Sequence, residues 1–530
     1  SIRRQRQMCI RDRCERDCIG MKLLFGQSYY LIFDPKLYAA MKPYPPLGTL
    51  YAASAVREAG YDVALFDAML AQSESEWQTA LEAESPQVAI IYEDNFNYLS
   101  KMCLGRMRQA ALTMIDMAKK RDCTVIVCGS DATDHPRIFL DGGADYVLLG
   151  EGEESLLALL ASLSGQADAS PEAILGVQSP NTLLPTRRPA MRDIDKLPMP
   201  AWDLLNMHHY KEIWQTRHGY FSMNLVTTRG CPYHCNWCAK PIWGQRYNVH
   251  SPQTIVAQMK HLRDAYGVNH IWFADDIMGL KPNWIENFAD LLQAEGVKMP
   301  FKCLSRADLL VRGETINGLA RAGCEVVWIG AESGSQRILD AMEKGTSVAQ
   351  IHEAAHRLQG VGVGVAFFLQ FGYPSETREE LAMTLNLVRE CMPDDVGMSV
   401  SYPLPGTSFY ERVKDQLGAQ DHWQHSDDLA MLYAGPFSTT FYRQLHITLH
   451  KEFRSRKTWR KLIGKAPKTH LIDEKPLSVR DILAMVYHIA TLPLARRKLK
   501  SLESAPHVGI SAIGGGMDYA SASVPSPQDG

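Results

Sequence analysis

Hydrophobic and polar positions change rhythm several times along the chain. From Met21 onward, short apolar runs alternate with longer stretches of helical period. Leu23-Leu24-Phe25 reads as a first strand, and Leu47 to Gly60 as a helix that closes on a C-terminal glycine. Tyr61 to Phe66 is a second strand ending at Asp67, Val88 to Tyr92 a third, Val125 to Cys128 a fourth and Tyr146 to Leu149 a fifth. Strands separated by helices predict an α/β domain over residues 21–165, a Rossmann-like doubly wound parallel sheet. Ligands of such sheets sit beyond the carboxyl ends of the strands. Here those ends are polar or rich in glycine: Asp67, Gly129-Ser130-Asp131 and Gly150-Glu151-Gly152-Glu153.

Residues 166–220 form a linker rich in Pro, Ser and Arg, and the alternation resumes over 221–410. Leu225 to Thr228 is a strand. Ser251-Pro252 is an N-cap followed by proline at the first helical position, with Ile255, Val256, Met259 and Leu262 as the buried stripe and Gly267 as the stop. His270 to Phe273 is the second strand, with Trp284 to Leu292 as its helix. Phe301 to Leu304, Glu325 to Ile329, Val365 to Leu369 and Met398 to Tyr402 are strands three to six. Six strand–helix units in series predict a partial (β/α)6 barrel of TIM type, with its chemistry at the carboxyl ends of the strands. Residues 411–500 read as a helical C-terminal region, and 501–530, rich in Gly, Ser, Ala and Pro, as a disordered tail. The front is different. Ser1 to Gly20 holds six arginines, three acids, Cys9, Cys14 and Cys18, with no apolar period. Its stretch Met8-Cys-Ile-Arg-Asp-Arg13 resembles translated sequencing adapter, so residues 1–20 are read as a spurious leader.

Composition narrows the field. The 530 residues are 46% hydrophobic and 22% charged, ordinary for a globular protein, and a net charge of -3 gives no reason to expect a nucleic-acid partner. No apolar run reaches the roughly 18 to 20 residues that cross a bilayer; the longest, Ile482 to Ala495, contains His488 and Pro493. No secretory signal is visible, and a cytoplasmic location is expected. The basic stretch Arg454 to Lys461 is read as a solvated helix face, and Ile482 to Ala495 as a packed C-terminal helix. The twelve cysteines remain to be explained.

Three of them fall just after the first barrel strand, in Gly230-Cys231-Pro-Tyr-His-Cys235-Asn-Trp-Cys238. Thiolates are soft ligands that suit iron–sulfur clusters or zinc. Three ligands leave one iron of a cubane cluster open, whereas a structural zinc site wants a fourth protein ligand, for which His234 is the candidate. Cys103, Cys123, Cys128, Cys303, Cys324 and Cys391 sit in apolar contexts and read as core residues.

The C-x3-C-x2-C loop in this position resembles the radical SAM superfamily. Trp237 matches the aromatic position that in the family lies near the adenine. Gly330-Ala-Glu332-Ser333-Gly334-Ser335 resembles its acidic SAM-binding motif. Phe371-Gly372-Tyr-Pro374 and Pro403-Leu-Pro-Gly-Thr-Ser-Phe-Tyr-Glu411 resemble motifs of its cobalamin-dependent branch, as does Phe273-Ala-Asp275-Asp276 in place of the commoner Gly-Gly-Glu. Arg306, after the third strand, is a candidate for the SAM carboxylate. The N-terminal sheet in turn resembles a B12-binding domain, on Pro45-Pro46-Leu47-Gly48, Asp67, Gly129-Ser130-Asp131 and Gly150-Glu151-Gly152-Glu153. It lacks the Asp-x-His-x-x-Gly motif that supplies a lower cobalt ligand; the first loop reads Asp34 to Tyr44, and His135 is read as a loop histidine.

These resemblances imply a [4Fe-4S] cluster on Cys231, Cys235 and Cys238, S-adenosylmethionine (SAM) on the open iron, and cobalamin whose lower face is open or held by a group other than histidine. Reductive cleavage of SAM would give a 5′-deoxyadenosyl radical, fed by an electron donor such as flavodoxin or ferredoxin. The leading expectation is methylation of an unactivated carbon in a small-molecule substrate. The alternatives are an oxidative cyclase of the anaerobic magnesium-protoporphyrin monomethyl ester group, and a cobalamin or redox sensor. Asp275, Asp276, Arg306 and Glu332 at strand ends argue against the sensor, which needs no SAM site.

Overall fold

The computed structural model describes residues 19–96, 104–182, 186–417, 429–464, 466, 469, 471–472 and 476–503. The expected leader up to residue 18, the tail beyond 503 and Cys103 lie outside the described residues.

The first domain is a six-stranded sheet of order β2-β1-β3-β4-β5-β6. Its strands are β1 (Ile19–Gly26), β2 (Tyr61–Leu65), β3 (Val88–Tyr92), β4 (Thr124–Cys128), β5 (Tyr146–Leu148) and β6 (Val177–Gln178). β1 to β5 are parallel, with Leu23 paired to both Val63 and Val88. β3 is buried along its whole length, which is why it reads as a continuous apolar run. The topology reverses between β1 and β3, the switch point where such sheets open a crevice. Trp77, Met114 and Val125 pack one face; Val56, Leu156 and Leu160 pack the other.

The linker is more structured than its composition suggests. It supplies β6, antiparallel to β5, and the helix Met207–His218. Trp202, Tyr210 and Trp214 are fully buried, and Trp214 Nε1 donates to the Pro43 carbonyl at 2.8 Å. Its aromatic residues thus weld the two domains together.

The second domain holds two small strands, β8 (Thr228–Arg229) and β9 (Asn248–Val249), and an open parallel sheet of order β14-β13-β12-β11-β10-β7. That sheet contains β7 (Ser222–Leu225), β10 (His270–Phe273), β11 (Phe301–Ser305), β12 (Cys324–Glu332), β13 (Gly364–Phe371) and β14 (Asp395–Val400). This is the expected six-unit partial barrel. Three predicted boundaries change, the last strand being Asp395–Val400 rather than Met398–Tyr402. The first strand is Ser222–Leu225 rather than Leu225–Thr228, and β12 runs on to Glu332, so Gly330-Ala331-Glu332 ends the strand instead of following it. Cys123, Cys128, Cys303, Cys324 and Cys391 are buried, as expected of core residues; Cys303 and Cys324 lie 3.9 Å apart across β11 and β12.

Two long helices, Thr439–Leu462 and Val479–Ser501, close the chain as an antiparallel hairpin. Gln444 reaches the Ala495 carbonyl and Lys451 reaches Thr491. The packed C-terminal helix is only half as expected. Met485 and Ala495 are buried, while Val479, Leu483 and Leu494 on the other side are exposed. Among the described residues no helix is long and apolar enough to cross a membrane.

Glu452 ties this hairpin to the barrel. Its carboxylate accepts from Arg389 at 2.6 and 3.0 Å, from Arg496 at 2.8 Å and from Arg456 at 3.1 Å. Burial alone would raise the carboxyl, but the Arg389 and Arg496 bonds outweigh it and hold it at about 2, below the ordinary 4.5. A depressed acid contributes stability above its unfolded pKa and loses it as the pH falls through the folded one. We expect Glu452→Gln to cost about 2 kcal/mol near neutral pH, the scale of charge-assisted hydrogen bonds. In urea unfolding the gap between wild type and variant should narrow as the pH falls below 4.5 towards 2.

Candidate functional site

The cysteine loop starts from a turn braced by one carboxylate. Thr227 and Thr228 donate their backbone N–H groups to Asp275 Oδ1 at 2.7 and 2.6 Å. Their hydroxyls donate to the same carboxylate, each at 2.9 Å. Burial pushes the Asp275 carboxyl up to about 7 against the pull of these four bonds. Asp275, expected among the cofactor residues, therefore serves to set the turn. Its neighbour Asp276 is exposed and lines a small cleft with Gly230 and Trp243.

The next residue after the turn, Arg229, is 1% exposed. Nη1 lies 2.5 Å from Glu151 Oε1 and Nη2 2.8 Å from Glu153 Oε1, both in the first domain. Its guanidinium lies 5.4 to 6.0 Å from the ring centroids of Phe96, Tyr51 and Trp243. Glu151 also accepts from the Met191 backbone N–H. Gly230 follows with φ +83; a Cβ there would come within 2.5 Å of the Arg246 carbonyl, so the chain turns into Cys231 only with glycine.

Asn236, between the second and third cysteines, pins the loop. Its Nδ2 donates to the Ala341 carbonyl at 2.8 Å and its N–H to the Met342 carbonyl at 3.1 Å. Its Oδ1 accepts from Tyr373 Oη at 3.0 Å, and its carbonyl from Phe409 N–H at 2.9 Å. Both motifs around Tyr373 and Phe409 thus act as anchors of the cysteine loop. Gly372 itself has φ +77 and donates its N–H to Glu376 at 2.6 Å.

Two cations approach the thiols. Arg306 is buried, stacks over the Tyr233 ring at 3.5 Å, donates Nε to Asp308 at 2.9 Å and Nη2 to the Lys344 carbonyl at 2.7 Å, and brings Nη1 to 3.8 Å from Cys235 Sγ. Lys344 Nζ donates to Glu332 Oε1 at 2.7 Å. Burial alone would lower the Lys344 ammonium, but Glu332 and Cys235 outweigh it and raise it. Glu332 holds φ +56, a left-handed conformation that costs a non-glycine residue and is found at functional sites. Burial raises the Cys231 thiol, which a ligating thiolate must overcome with nearby positive charge.

The donor set suits a cluster better than a single ion. Cys231, Cys235 and Cys238 form no disulfide and are partly exposed. Among the described residues, the one group of His, Cys, Asp and Glu whose ligand atoms all lie within 4.8 Å of one another is His352, His356 and Cys391, on the outer helices. The three loop thiols are thus spread wider than the ligands of one ion, and His234 is exposed. A cubane, whose three ligated irons occupy separate corners, fits that spread.

The remaining predicted residues divide in two. Trp237 is half-buried beside the group containing Ile338 and Met342, with its Nε1 unpartnered. Ser333 and Gly334 face away, towards the helix Arg378–Cys391: the Gly334 N–H donates to Thr384, and a Cβ on Gly334 would meet the Met383 carbonyl at 2.4 Å. On the first domain, Gly48, the residue after Pro46 and Leu47, donates its N–H to Asp94 at 3.0 Å, and a Cβ on Gly129, beside Ser130, would meet Glu93 at 2.8 Å. A Cβ on Gly152 would meet Cys128 Sγ at 2.6 Å; Gly150 has φ +78 and donates its N–H to Thr133 at 3.0 Å. Asp67 is turned into the linker, accepting from Tyr210 Oη at 2.6 Å, and Glu151 is held by Arg229. The strand-end cradle still fits a polar ligand. Asn95 Oδ1, Asn224 Oδ1 and Trp243 Nε1 are buried without protein partners, and Asn224 Nδ2 bridges the domains to the Pro45 carbonyl at 3.0 Å.

Arg229 and Lys344 escaped the sequence reading, and Asn236 and Tyr373 stood inside quoted motifs without a role of their own. Arg229 stands two residues before the first cysteine, and that adjacency was the available signal. Removing one partner of a buried charge network leaves the others uncompensated. We expect Arg229→Met to destabilise the protein by about 3 to 5 kcal/mol in urea unfolding, and adding Glu151→Gln and Glu153→Gln to recover part of that loss.

Comparison with known proteins accords with this geometry. The radical SAM superfamily model matches residues 225–388, and the B12 binding domain model matches residues 40–160. An uncharacterized methyltransferase of Pyrococcus horikoshii is 27% identical over 376 residues, 69% of this chain and 78% of that protein. The hopanoid C-3 methylase of Methylococcus capsulatus is 26% identical over 390 residues, 71% of this chain and 70% of that protein. The anaerobic magnesium-protoporphyrin IX monomethyl ester cyclase of Cereibacter sphaeroides is 24% identical over 401 residues, 72% of this chain and 62% of that protein. Among solved structures, the cobalamin-dependent S-adenosylmethionine radical enzyme OxsB with aqua-cobalamin bound has the same fold. Its TM-score is 0.68 at 16% identity, covering 91% of this chain and 73% of that one. The radical S-adenosylmethionine methyltransferase TsrM from Kitasatospora setae follows at TM-score 0.59 and 18% identity, covering 75% of each chain. The radical SAM match implies a [4Fe-4S] cluster and SAM, and the B12-binding match implies cobalamin. The chain is an enzyme in which a radical SAM domain, over residues 225–388, follows a B12-binding domain, over residues 40–160.

Proposed function

We propose that the enzyme methylates an unactivated carbon of a small-molecule substrate. The observation that carries this reading is the seam at Arg229. Two residues before Cys231, it is bonded to Glu151 and Glu153 at the strand ends of the B12-binding domain. The cysteine loop and the cobalamin-side strand ends thereby share one junction, as transfer of a methyl group between two cofactors and one substrate requires. The methyltransferases among the relatives support the same reading.

When bound, the cluster and SAM supply reductive C–S cleavage and hydrogen abstraction, and cobalamin supplies methyl transfer. The chain's own residues bind and orient. Cys231, Cys235 and Cys238 would hold the cluster, and Asn236 fixes their loop against Tyr373. Arg306 and Lys344 bring positive charge to the thiols and to a carboxylate bound beside them. Lys344 holds one oxygen of Glu332 and so sets the direction in which the other accepts from an amine or ribose hydroxyl. Trp237 offers a half-buried indole face to an adenine. Gly48 and Gly129 let Asp94 and Glu93 pack closely against the strand-end turns of the B12-binding domain. An electron donor such as flavodoxin or ferredoxin would reduce the cluster.

The cyclase relative favours a second reading, in which a ring is closed or oxidised without methyl transfer. The products separate the two. With reductant and substrate, reconstituted enzyme should form S-adenosylhomocysteine and 5′-deoxyadenosine in comparable amounts; deoxyadenosine alone would indicate the cyclase. Cys235→Ala should lose the cluster's visible absorbance and all reductive SAM cleavage while still binding cobalamin. Retained cleavage would overturn the assignment of the cysteine loop.

A further inference from the structure

The C-terminal hairpin carries a surface that the catalytic reading leaves unused. Fifteen large hydrophobic side chains are exposed among the described residues, and ten of them lie on Thr439–Leu462, Val479–Ser501 or directly after the first of these helices. They are not scattered. Val479, Leu483, Val486, Tyr487 and Leu494 recur at helical spacing along the outward side of the last helix, each more than half exposed. Asp481 lies near Lys461, so Trp459, 51% exposed, shares the loop end of the hairpin with Val479 and Leu483. Between Ile482 and Ala495 the helix has only His488 and Thr491 as polar residues. A helix apolar on both sides demands cover on both sides, and the first helix of the hairpin covers one.

Charge identifies the cover. The two helices hold twelve basic and two acidic residues, leaving 44 basic against 57 acidic residues in the rest of the chain. A second copy docking through the same face would set this excess against itself. Nucleic acid would use the basic residues but has no use for a stripe of Leu, Val and Tyr. An anionic bilayer surface satisfies both: Leu483, Val486 and Leu494 enter the headgroup boundary, Arg497, Lys498 and Lys500 meet lipid phosphates, and Trp459 and Tyr487 have the ring chemistry of that boundary. We propose that the hairpin docks the enzyme on an anionic membrane surface, lying in the plane of the interface without crossing it. This inference is independent of the methylation reading.

The test is sedimentation of the full-length, cobalamin-loaded protein with vesicles of phosphatidylcholine alone or with phosphatidylglycerol added. Anionic vesicles should bind roughly tenfold more protein than neutral ones, and molar salt should reverse most of the difference. Leu483→Asp, Val486→Asp and Leu494→Asp combined should reduce anionic-vesicle binding roughly tenfold or more, with circular dichroism and bound cobalamin unchanged. Arg497→Glu with Lys498→Glu should reduce it as well, and the residual binding should no longer respond to salt. The proposal is overturned by equal binding to both vesicle types, or by binding that survives the aspartates. It is also overturned by a wild-type dimer in solution that the aspartates dissociate, or by nucleic-acid binding that they leave intact.

Discussion

Everything at the barrel mouth rests on the burial of Arg229. A guanidinium cannot shed its proton, so it carries its charge into a site 1% exposed, at a desolvation cost of several kcal/mol. Glu151 and Glu153 offset that cost only in one geometry, one carboxylate to each terminal nitrogen, with three aromatic rings around. Any slide between the two domains strands an ion in an apolar setting. The pair therefore contributes registry more than stability. It fixes where the strand ends of the B12-binding domain stand relative to Cys231, and it does so through the same glycine-rich motif that carries the resemblance to B12-binding domains.

The same logic of a fixed polar partner repeats inward. Asp275 takes four donors from two threonines and sets the angle at which the chain leaves β7. Asn236 takes one donor from Tyr373 and gives two N–H groups to the carbonyls of Ala341 and Met342. Neither is among the three cysteines, yet between them they decide where the loop begins and where its middle lies. Arg306 and Lys344 then bring charge to a loop already in place. A cluster held at three points tolerates little drift in its ligands, so the conformational freedom of this loop has to be removed by residues that ligate nothing.

How much of this was legible in the sequence follows from how local each signal is. β3, β4 and the long β13 read cleanly because strands buried on both faces are unbroken apolar runs between turn residues. β7 was misplaced by three residues because Ser222 and Asn224 are polar. They are tolerated in the core through distant partners: His270 and Tyr44 for Ser222, 48 and 178 positions away, and the Pro45 carbonyl for Asn224, 179 positions away. The three cysteines were legible by spacing alone. Lys344 was not, since nothing near it in the chain marks it out, and its role appears only when β12 carries Glu332 back to it and β11 delivers Arg306. Asp67 and Glu151 show how a polar residue at a strand end is equally suited to a ligand or to a neighbouring segment: here Tyr210 and Arg229 are bonded to them.

Charge is used in two contrasting ways across the molecule. Inside the barrel and the seam each buried cation meets a named carboxylate: Arg229 with Glu151 and Glu153, Arg306 with Asp308, Lys344 with Glu332. On the C-terminal hairpin twelve bases share two acids, and one of those, Glu452, is drawn into the anchor to Arg389. That excess opposes folding, because like charges along packed helices repel. The hairpin holds nonetheless, since Phe441, Tyr442, Leu445, Leu449 and Phe453 are buried against the main core and supply the apolar area that repulsion must be weighed against. Arg496, Arg456 and Lys451 help to hold the hairpin, while Arg497, Lys498 and Lys500 stand beside the exposed apolar stripe, where their charge is available to a surface outside the molecule.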